Sequence, residues 1–252
     1  MTLLHLSRAI VETAIISVPT VVESAMGRVS SEACDKRLDS WSRRLLEQAQ
    51  VSVSAVGLEN APEGETFVVM SNHQSLYDIP VIFQVLKRRV RMVAKTELFR
   101  VPVWAGAMRA AGFVEVDRQN RERAIASLRR AKQALESGTS IWIAPEGTRS
   151  DSGRLAPFKQ GGFHLALETG ARILPVAIDG TRNVLLARGR TVHNGCSVKV
   201  TICEPVDAAV YGRKQKNELC EVVRKSIAAH LPQERDADGR DEPARELRDT
   251  GT

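Results

Sequence analysis

The feature that most constrains the fold is a change of pattern after residue 50. From there to about residue 203, short β-prone apolar runs alternate with longer helix-compatible stretches. The predicted strands are 51–54, 66–70, 90–94, 113–116, 140–144, 172–178 and 197–203, and the predicted helices between them are about 79–88, 97–110, 120–137 and 160–169. This alternation predicts an α/β fold, in which a mixed, largely parallel sheet is flanked by helices on both faces.

The first 50 residues have a different character and predict an amphipathic helix pair, at about 3–26 and 31–48. The first helix carries Arg8, Glu12, Pro19 and Glu23 on one side, and Leu3, Leu6, Ile10, Ile15 and Val21 on the other. We expect a kink near Pro19. A helix on a membrane surface and a helix packed on its own domain both show this pattern, so both interpretations stay open.

The end of the chain predicts a closing helix and then a tail. Apolar residues at helical spacing predict a helix over 213–230. Residues 232–252 are highly charged and nearly free of large apolar side chains, which predicts disorder. The predicted organisation is therefore a membrane platform over 1–50, a catalytic domain over 51–231 and a disordered tail over 232–252.

The charge distribution indicates partners that carry phosphate. The net charge of the chain is +6, but residues 233–252 hold four Arg against seven acidic residues. The net charge of the rest of the chain is therefore three units more positive than +6. A basic body suits anionic lipid surfaces, nucleotide-like cofactors or nucleic acid. Aromatic residues make up only 4%, and no zinc-finger spacing occurs, so nucleic acid is not expected.

Several function classes lack their sequence signatures. The four cysteines form no CxxC pair, which fits reduced thiols in a cytoplasmic compartment. The sequence contains no HExxH, no GxxxxGK[ST] and no GxSxG, so we predict no metal, no bound cofactor and no serine nucleophile. It also lacks an uninterrupted apolar run of about 18 to 20 residues, so no membrane-spanning helix is predicted.

The most chemically suggestive stretch follows the predicted strand 66–70, where His73 precedes Asp78 by five residues. A neutral imidazole accepts a proton near pH 7, and a carboxylate on its other nitrogen fixes the tautomer. On an ideal helix the two side chains would point about 140° apart. They can meet only across an irregular turn; otherwise His73 merely caps a strand beside a helix-initiating Asp78.

The order of four short motifs adds to this local evidence. Together they are Asn72-His73 with Asp78, the segment 112–118 (GFVEVDR), the segment 144–150 (APEGTRS) and the segment 173–177 (ILPVA). In this order and at these intervals they resemble the motifs of the glycerolipid acyltransferases. One position departs from the pattern, since the family usually has Phe where this chain has Ala144. The resemblance covers about residues 66–182.

The resemblance implies a mechanism and a set of site residues. His73 would deprotonate the acceptor hydroxyl for direct attack on a thioester, and Asp78 would orient His73. The positions that it assigns to the phosphate-bearing acceptor are Arg118, Glu146, Gly147, Thr148 and Arg149. Lys95, which ends a predicted strand, is a further candidate for the same pocket.

The function that follows is transfer of a fatty acyl group to lysophosphatidic acid, giving phosphatidic acid in phospholipid biosynthesis. The expected donor is acyl-CoA or acyl-carrier protein, and the expected location is the cytoplasmic side of a membrane, held peripherally or monotopically by the N-terminal helices. Two alternatives stay open. One is an acyltransferase for another lyso-lipid, such as a lyso-ornithine lipid or another lysophospholipid; the other is a non-catalytic lipid-binding module.

Overall fold

Seven strands form the centre of the molecule. The structure is a computed structural model that describes residues 2–117 and 121–232. The strands are β1 (Ser52–Val56), β2 (Val68–Ser71), β3 (Val90–Lys95), β4 (Val114–Val116), β5 (Ser140–Ile143), β6 (Ile173–Asp179) and β7 (Ser197–Ile202). They make one sheet in the order β1-β7-β6-β2-β5-β3-β4. Each predicted strand overlaps one of these seven.

The sheet is largely parallel, as predicted. β6, β2, β5, β3 and β4 all run in the same direction, whereas β7 is antiparallel to β6 and β1 is parallel to β7. The carboxyl ends of the five parallel strands therefore meet at one edge of the sheet. Open α/β sheets usually keep their ligands at this edge.

Eight α-helices flank the sheet in the part of the chain that the structure describes. They are α1 (Thr2–Ala25), α2 (Ser31–Gln48), α3 (Asp78–Leu86), α4 (Trp104–Ala110), α5 (Arg121–Glu136), α6 (Gly161–Thr169), α7 (Thr181–Val184) and α8 (Lys216–Ala228). Short 3₁₀ turns lie at Leu58–Asn60, Thr96–Arg100, Ala208–Val210 and Arg213–Gln215. α2 has the predicted bounds, and Ser30 caps it by accepting a hydrogen bond from the Ala33 amide.

The predicted helix over 97–110 was wrong in its first half. The chain instead forms a 3₁₀ turn, breaks at residues 101–103, and resumes as α4. Pro102 explains the break, because a proline disfavours helical backbone at the preceding residue, and Val101 is extended at ψ 118°. Val103 then takes a positive φ of 64°, which a continuous helix would not allow.

Two apolar cores lie on opposite faces of the sheet. Along β2 and the residue before it, Phe67 and Val69 point to the core beneath α2 and α3, whereas Val68 and Met70 point to the core beneath α5, α6 and α8. All four side chains are fully buried. Burial of a side chain of this size stabilises the fold by roughly 1.5–3 kcal/mol. Because both faces are covered, the strand is continuously apolar and does not alternate.

α1 packs on α2 and α4 with its polar side inward. The contacts with α2 include a two-pronged ion pair between Arg37 and Glu23, an ion pair of 2.5 Å between Arg44 and Glu12, and a hydrogen bond of 3.2 Å from Trp41 to Thr13. Ser17 and Thr20 are buried in the same seam. The helix continues through Pro19 without interruption.

The opposite side of α1 is apolar and exposed. Val11, Ile15, Val18 and Val22 recur at helical spacing, and each is 50–55% exposed. The predicted amphipathic character is therefore present, with the apolar side outward, although Val21 packs towards Gly106 of α4. No helix within residues 2–117 or 121–232 is long and apolar enough to span a bilayer.

Candidate active site

A turn at the carboxyl end of β2 brings His73 and Asp78 together. The Nδ1 atom of His73 lies 2.7 Å from the Oδ2 atom of Asp78, which begins α3. The intervening residues form an irregular turn, so the divergence expected on a regular helix does not arise. Asp78 is fully buried, whereas the His73 side chain is 19% exposed. The imidazole thus stands between a buried acid and an accessible surface.

The Asp78 carboxylate is held from both sides. Its Oδ2 atom accepts hydrogen bonds from the backbone amides of Gln74 and Ser75, at 2.8 and 2.9 Å, in addition to the contact with His73. Its Oδ1 atom accepts the hydroxyl of Thr181 at 2.5 Å. A buried carboxylate needs such donors, because water cannot reach it.

This hydrogen bonding determines which nitrogen of His73 can act as a base. Oδ2 already accepts two amide hydrogens, so the ring nitrogen that faces it carries the proton and donates. In the neutral ring the lone pair is then on Nε2, which has no hydrogen-bond partner among the residues that the structure describes. The arrangement can therefore take a proton at Nε2 and stabilise the resulting imidazolium through Asp78.

The loop after β5 is fastened to this turn. The buried Glu146 carboxylate accepts the backbone amides of His73 at 2.7 Å and of Ala156 at 2.9 Å. The Ser150 amide donates to the His73 carbonyl at 2.7 Å. Gly147 makes the tight turn with a φ of 77°. Burial raises the pKa of Glu146, although its two backbone hydrogen bonds act in the opposite direction.

The side chains predicted to bind the acceptor phosphate lie on different elements and differ in burial. Arg149 lies in the loop after β5 and is half-buried, and Lys95 ends β3 at the same sheet edge with an exposed side chain. Neither has an ion-pair or hydrogen-bond partner in the described part of the chain. Thr148 is exposed beside Arg149. Arg118 lies outside the described residues.

An aromatic side chain also supports the His73 ring. Trp142 of β5 meets it edge to face, with ring centroids 6.3 Å apart. The indole Nε1–H donates to the Ser71 hydroxyl at 2.9 Å, which fixes the plane of the ring. The sequence places Trp142 in a buried strand but gives no sign of this contact, since it depends on the pairing of β5 with β2.

The comparison with protein families agrees with this geometry. A family model described as "Acyltransferase" matches residues 52–179, which is just over half of the chain and includes His73, Asp78 and Glu146. This chain belongs to the acyltransferase family. The resemblance suggested by the four motifs is thereby confirmed.

Related members of this acyltransferase family carry a common name. The chain is 36% identical to 1-acyl-sn-glycerol-3-phosphate acyltransferase BAT2, chloroplastic, of Brassica napus over 69% of this chain and 49% of that protein. It is 31% identical to 1-acyl-sn-glycerol-3-phosphate acyltransferase of Escherichia coli strain K12 over 66% of this chain and 69% of that protein. The chain thus spans about half the length of the plant relatives that it matches.

A solved structure supports the acyltransferase fold over nearly the whole chain. The chain is similar to the crystal structure of the 1-acyl-sn-glycerophosphate (LPA) acyltransferase PlsC from Thermotoga maritima, with a TM-score of 0.76 and 29% identity. The match covers 90% of this chain and 92% of that chain, so it extends beyond the residues of the family model.

Some residues of this site were missed by sequence reasoning. Thr181 contacts Asp78, and the Ser75 hydroxyl donates to the Leu185 carbonyl at 2.7 Å. The available signal was Gly180-Thr181 directly after a buried strand, a pattern that can start a helix.

Across the described residues, no group of three or more His, Cys, Asp or Glu side chains is arranged to hold a metal ion.

Proposed function

We propose that this protein transfers a fatty acyl group from an acyl thioester to the free hydroxyl of lysophosphatidic acid, giving phosphatidic acid. The observation that carries the proposal is the His73–Asp78 pair, whose free nitrogen faces an accessible surface beside the loop that holds Glu146. The names of the relatives support the same substrate class. Phospholipid biosynthesis is the process in which this reaction belongs.

His73 and Asp78 are the proposed catalytic residues. The Nε2 atom of His73 accepts the proton of the acceptor hydroxyl, and the alkoxide oxygen attacks the thioester carbonyl carbon. The C–S bond then breaks as the ester forms, and the proton on Nε2 passes to the departing thiolate. Asp78 keeps the ring in the productive tautomer throughout. General-base help of this kind contributes about 10²–10⁴-fold to the rate.

The acceptor phosphate is proposed to bind at the cations of the sheet edge. Arg149 has no partner within the described residues and can present a fork of donors to phosphate, and Arg118 and Lys95 would add further positive charge. Gly147 shapes the turn that carries Thr148 and Arg149. Glu146 would act on the acceptor mainly through this loop, since both of its oxygens accept backbone amides.

The acyl donor is proposed to be acyl-CoA or acyl-carrier protein, and no bound cofactor is required. Both donors present the same thioester to His73, so the chemistry above does not separate them. They differ in what surrounds the thioester: a nucleotide with phosphates in one case and an acidic protein in the other. An assay with each donor makes the distinction.

The N-terminal helices are proposed to hold the enzyme on the cytoplasmic side of a membrane, as a peripheral or monotopic protein. The support is the exposed apolar side of α1, whose polar side is occupied by α2. Residues 1–50 would then be the membrane platform and residues 51–231 the catalytic domain. Most of the predicted disordered tail, residues 233–252, lies outside the described residues.

The test is a thioester-consumption assay with purified protein, both donors and a panel of lyso-acceptors. We expect thiol release that depends on lysophosphatidic acid, with phosphatidic acid identified by mass spectrometry. Faster turnover of another lysophospholipid or a lyso-ornithine lipid would reassign the acceptor. Binding to lipid vesicles without acyl transfer from either thioester would indicate a lipid-binding module and overturn the proposal.

A further inference from the structure

The turn that carries His73 is attached at three points to the segment that runs from β6 through α7 to Leu185. The side-chain amide of Asn72 donates to the Ile178 carbonyl and accepts the Ile178 amide, each at 2.8 Å. The Ser75 hydroxyl donates to the Leu185 carbonyl at 2.7 Å. The third attachment joins Thr181 to Asp78 and is the one that reaches the His73–Asp78 pair itself.

We propose that Thr181 is a positioning residue for the proton transfer at His73, and that its hydroxyl fixes the orientation of the Asp78 carboxylate. This inference rests on the proposed function, since it assigns Thr181 to the same reaction. Thr181 is not expected to touch either substrate, because it is fully buried. Its effect passes through Asp78 to the ring of His73.

The two oxygens of Asp78 depend on different donors, which explains why one hydroxyl can matter. Oδ2 has the ring nitrogen and two backbone amides, whereas Oδ1 has Thr181 as its donor at 2.5 Å. Asp78 and Thr181 are both fully buried, so bulk water cannot replace a lost hydroxyl. Without the hydroxyl, Oδ1 is a buried acceptor without a donor, so the carboxylate can turn to share the donors of Oδ2, and Oδ2 no longer faces Nδ1 in a single geometry.

The conformation of Gly180 allows Thr181 to reach Asp78. Gly180 follows β6 with a φ of 100°, and a Cβ atom there would lie 2.3 Å from the carbonyl oxygen of Ser197. Only glycine fits this crossing of β7. The chain therefore turns immediately after β6 and brings Thr181 beneath Asp78 as the first residue of α7.

Three variants test the proposal. Thr181→Val removes the hydroxyl and nearly preserves the shape, and Thr181→Ser keeps the hydroxyl. Thr169→Val is the matched control, because the Thr169 hydroxyl donates to the Leu165 carbonyl on α6, on the other face of the sheet. For each variant we would measure kcat, the KM for lysophosphatidic acid, and the dependence of kcat/KM on pH.

We expect Thr181→Val to lower kcat about 10- to 100-fold with KM changed less than about twofold. The acid limb of its pH profile should move to lower pH, because a carboxylate whose Oδ2 no longer faces Nδ1 in a single geometry stabilises the imidazolium less. Glu146, the other acid that contacts this turn, is unchanged in every variant. Thr181→Ser should restore both kcat and the profile, and Thr169→Val should match the parent protein.

Three results would overturn the proposal: an unchanged kcat in Thr181→Val, a lower kcat with an unmoved acid limb, or a Thr181→Ser variant as slow as Thr181→Val. Histidine ¹⁵N NMR without substrate provides a second readout, with the His73 signals assigned through His73→Ala. Thr181→Val should move these signals and Thr169→Val should not. If the parent protein transfers no acyl group, the proposed function fails, and the spectra still test the link from Thr181 to His73.

Discussion

At the scale of single residues, buried hydrogen bonds hold the site residues in place. The sequence analysis placed Glu146 among the positions that bind the phosphate-bearing acceptor. In the structure its oxygens accept two backbone amides, one on the turn of His73 and one at Ala156. Its contribution to acceptor binding stays a prediction, but its hydrogen bond to the backbone amide of His73 is a direct structural feature.

Replacing Glu146 with Gln should destabilise the protein and slow the reaction. A glutamine side chain has one acceptor oxygen, so the amide of either His73 or Ala156 would face an NH₂ group and lose its partner. Leaving a buried donor unsatisfied costs about 1–3 kcal/mol. Urea unfolding at pH 7 measures this loss. The exposed Glu204→Gln is the control, and equal stability of the two variants would contradict the assignment.

The pH dependence of stability should also report on Glu146. Burial raises its pKa above the ordinary value of 4.5, so between the two values the folded state binds more protons than the unfolded state. The stability that Glu146 contributes is therefore complete below pH 4.5 and falls as pH rises through its raised pKa. Unfolding free energies across this range should show the fall in the parent protein and not in Glu146→Gln.

At the scale of elements, α1 is the helix whose sequence pattern left two interpretations open. The structure accounts for both sides of the helix: ion pairs and hydroxyls face α2, and the valine and isoleucine stripe faces outward. Which side would face inward could not be read from α1 alone. It depends on Arg37 and Arg44, which lie on α2 and meet Glu23 and Glu12 across the seam.

Placing charges on the stripe should weaken membrane binding. The double variant Val18→Glu, Val22→Glu should bind phosphatidylglycerol-containing vesicles at least roughly tenfold more weakly, because it replaces apolar area that the bilayer would cover. Sedimentation with vesicles measures this. Val56→Glu on β1 is the matched control, since Val56 is 49% exposed and Val18 is 50% exposed. Equal effects of the two changes would argue against α1 as the contact surface.

At the scale of the whole molecule, local patterns predicted the elements but not their arrangement. Every predicted strand was confirmed: the strands that are buried on both faces are continuous apolar runs and the more exposed β1 alternates, and both patterns are visible in the sequence. The reversed direction of β7 and the order of the strands depend on pairings between distant segments. The contact of Thr181 with Asp78 is of the same kind, since 103 residues separate its partners. Pro102, by contrast, was a visible signal for the break before α4 that the helix prediction overlooked.

Thiol reactivity offers a test of this packing. Cys34, Cys203 and Cys220 are buried, and burial raises the pKa of each thiol, whereas Cys196 is partly exposed. Since the thiolate is the reactive form, we expect maleimide to label Cys196 first in the folded protein and all four thiols in urea. Mass spectrometry with a Cys196→Ala control measures the order. Rapid native labelling of Cys34 or Cys203 would contradict the packing of α2 or β7.

The most direct test of the account is acyl transfer to lysophosphatidic acid by the parent protein and by His73→Ala, measured under the same conditions. We expect His73→Ala to lose about 10²–10⁴-fold in turnover while it retains vesicle binding and the unfolding transition of the parent protein. A folded His73→Ala variant that keeps its turnover within tenfold of the parent protein would contradict it, because some other group would then be the base.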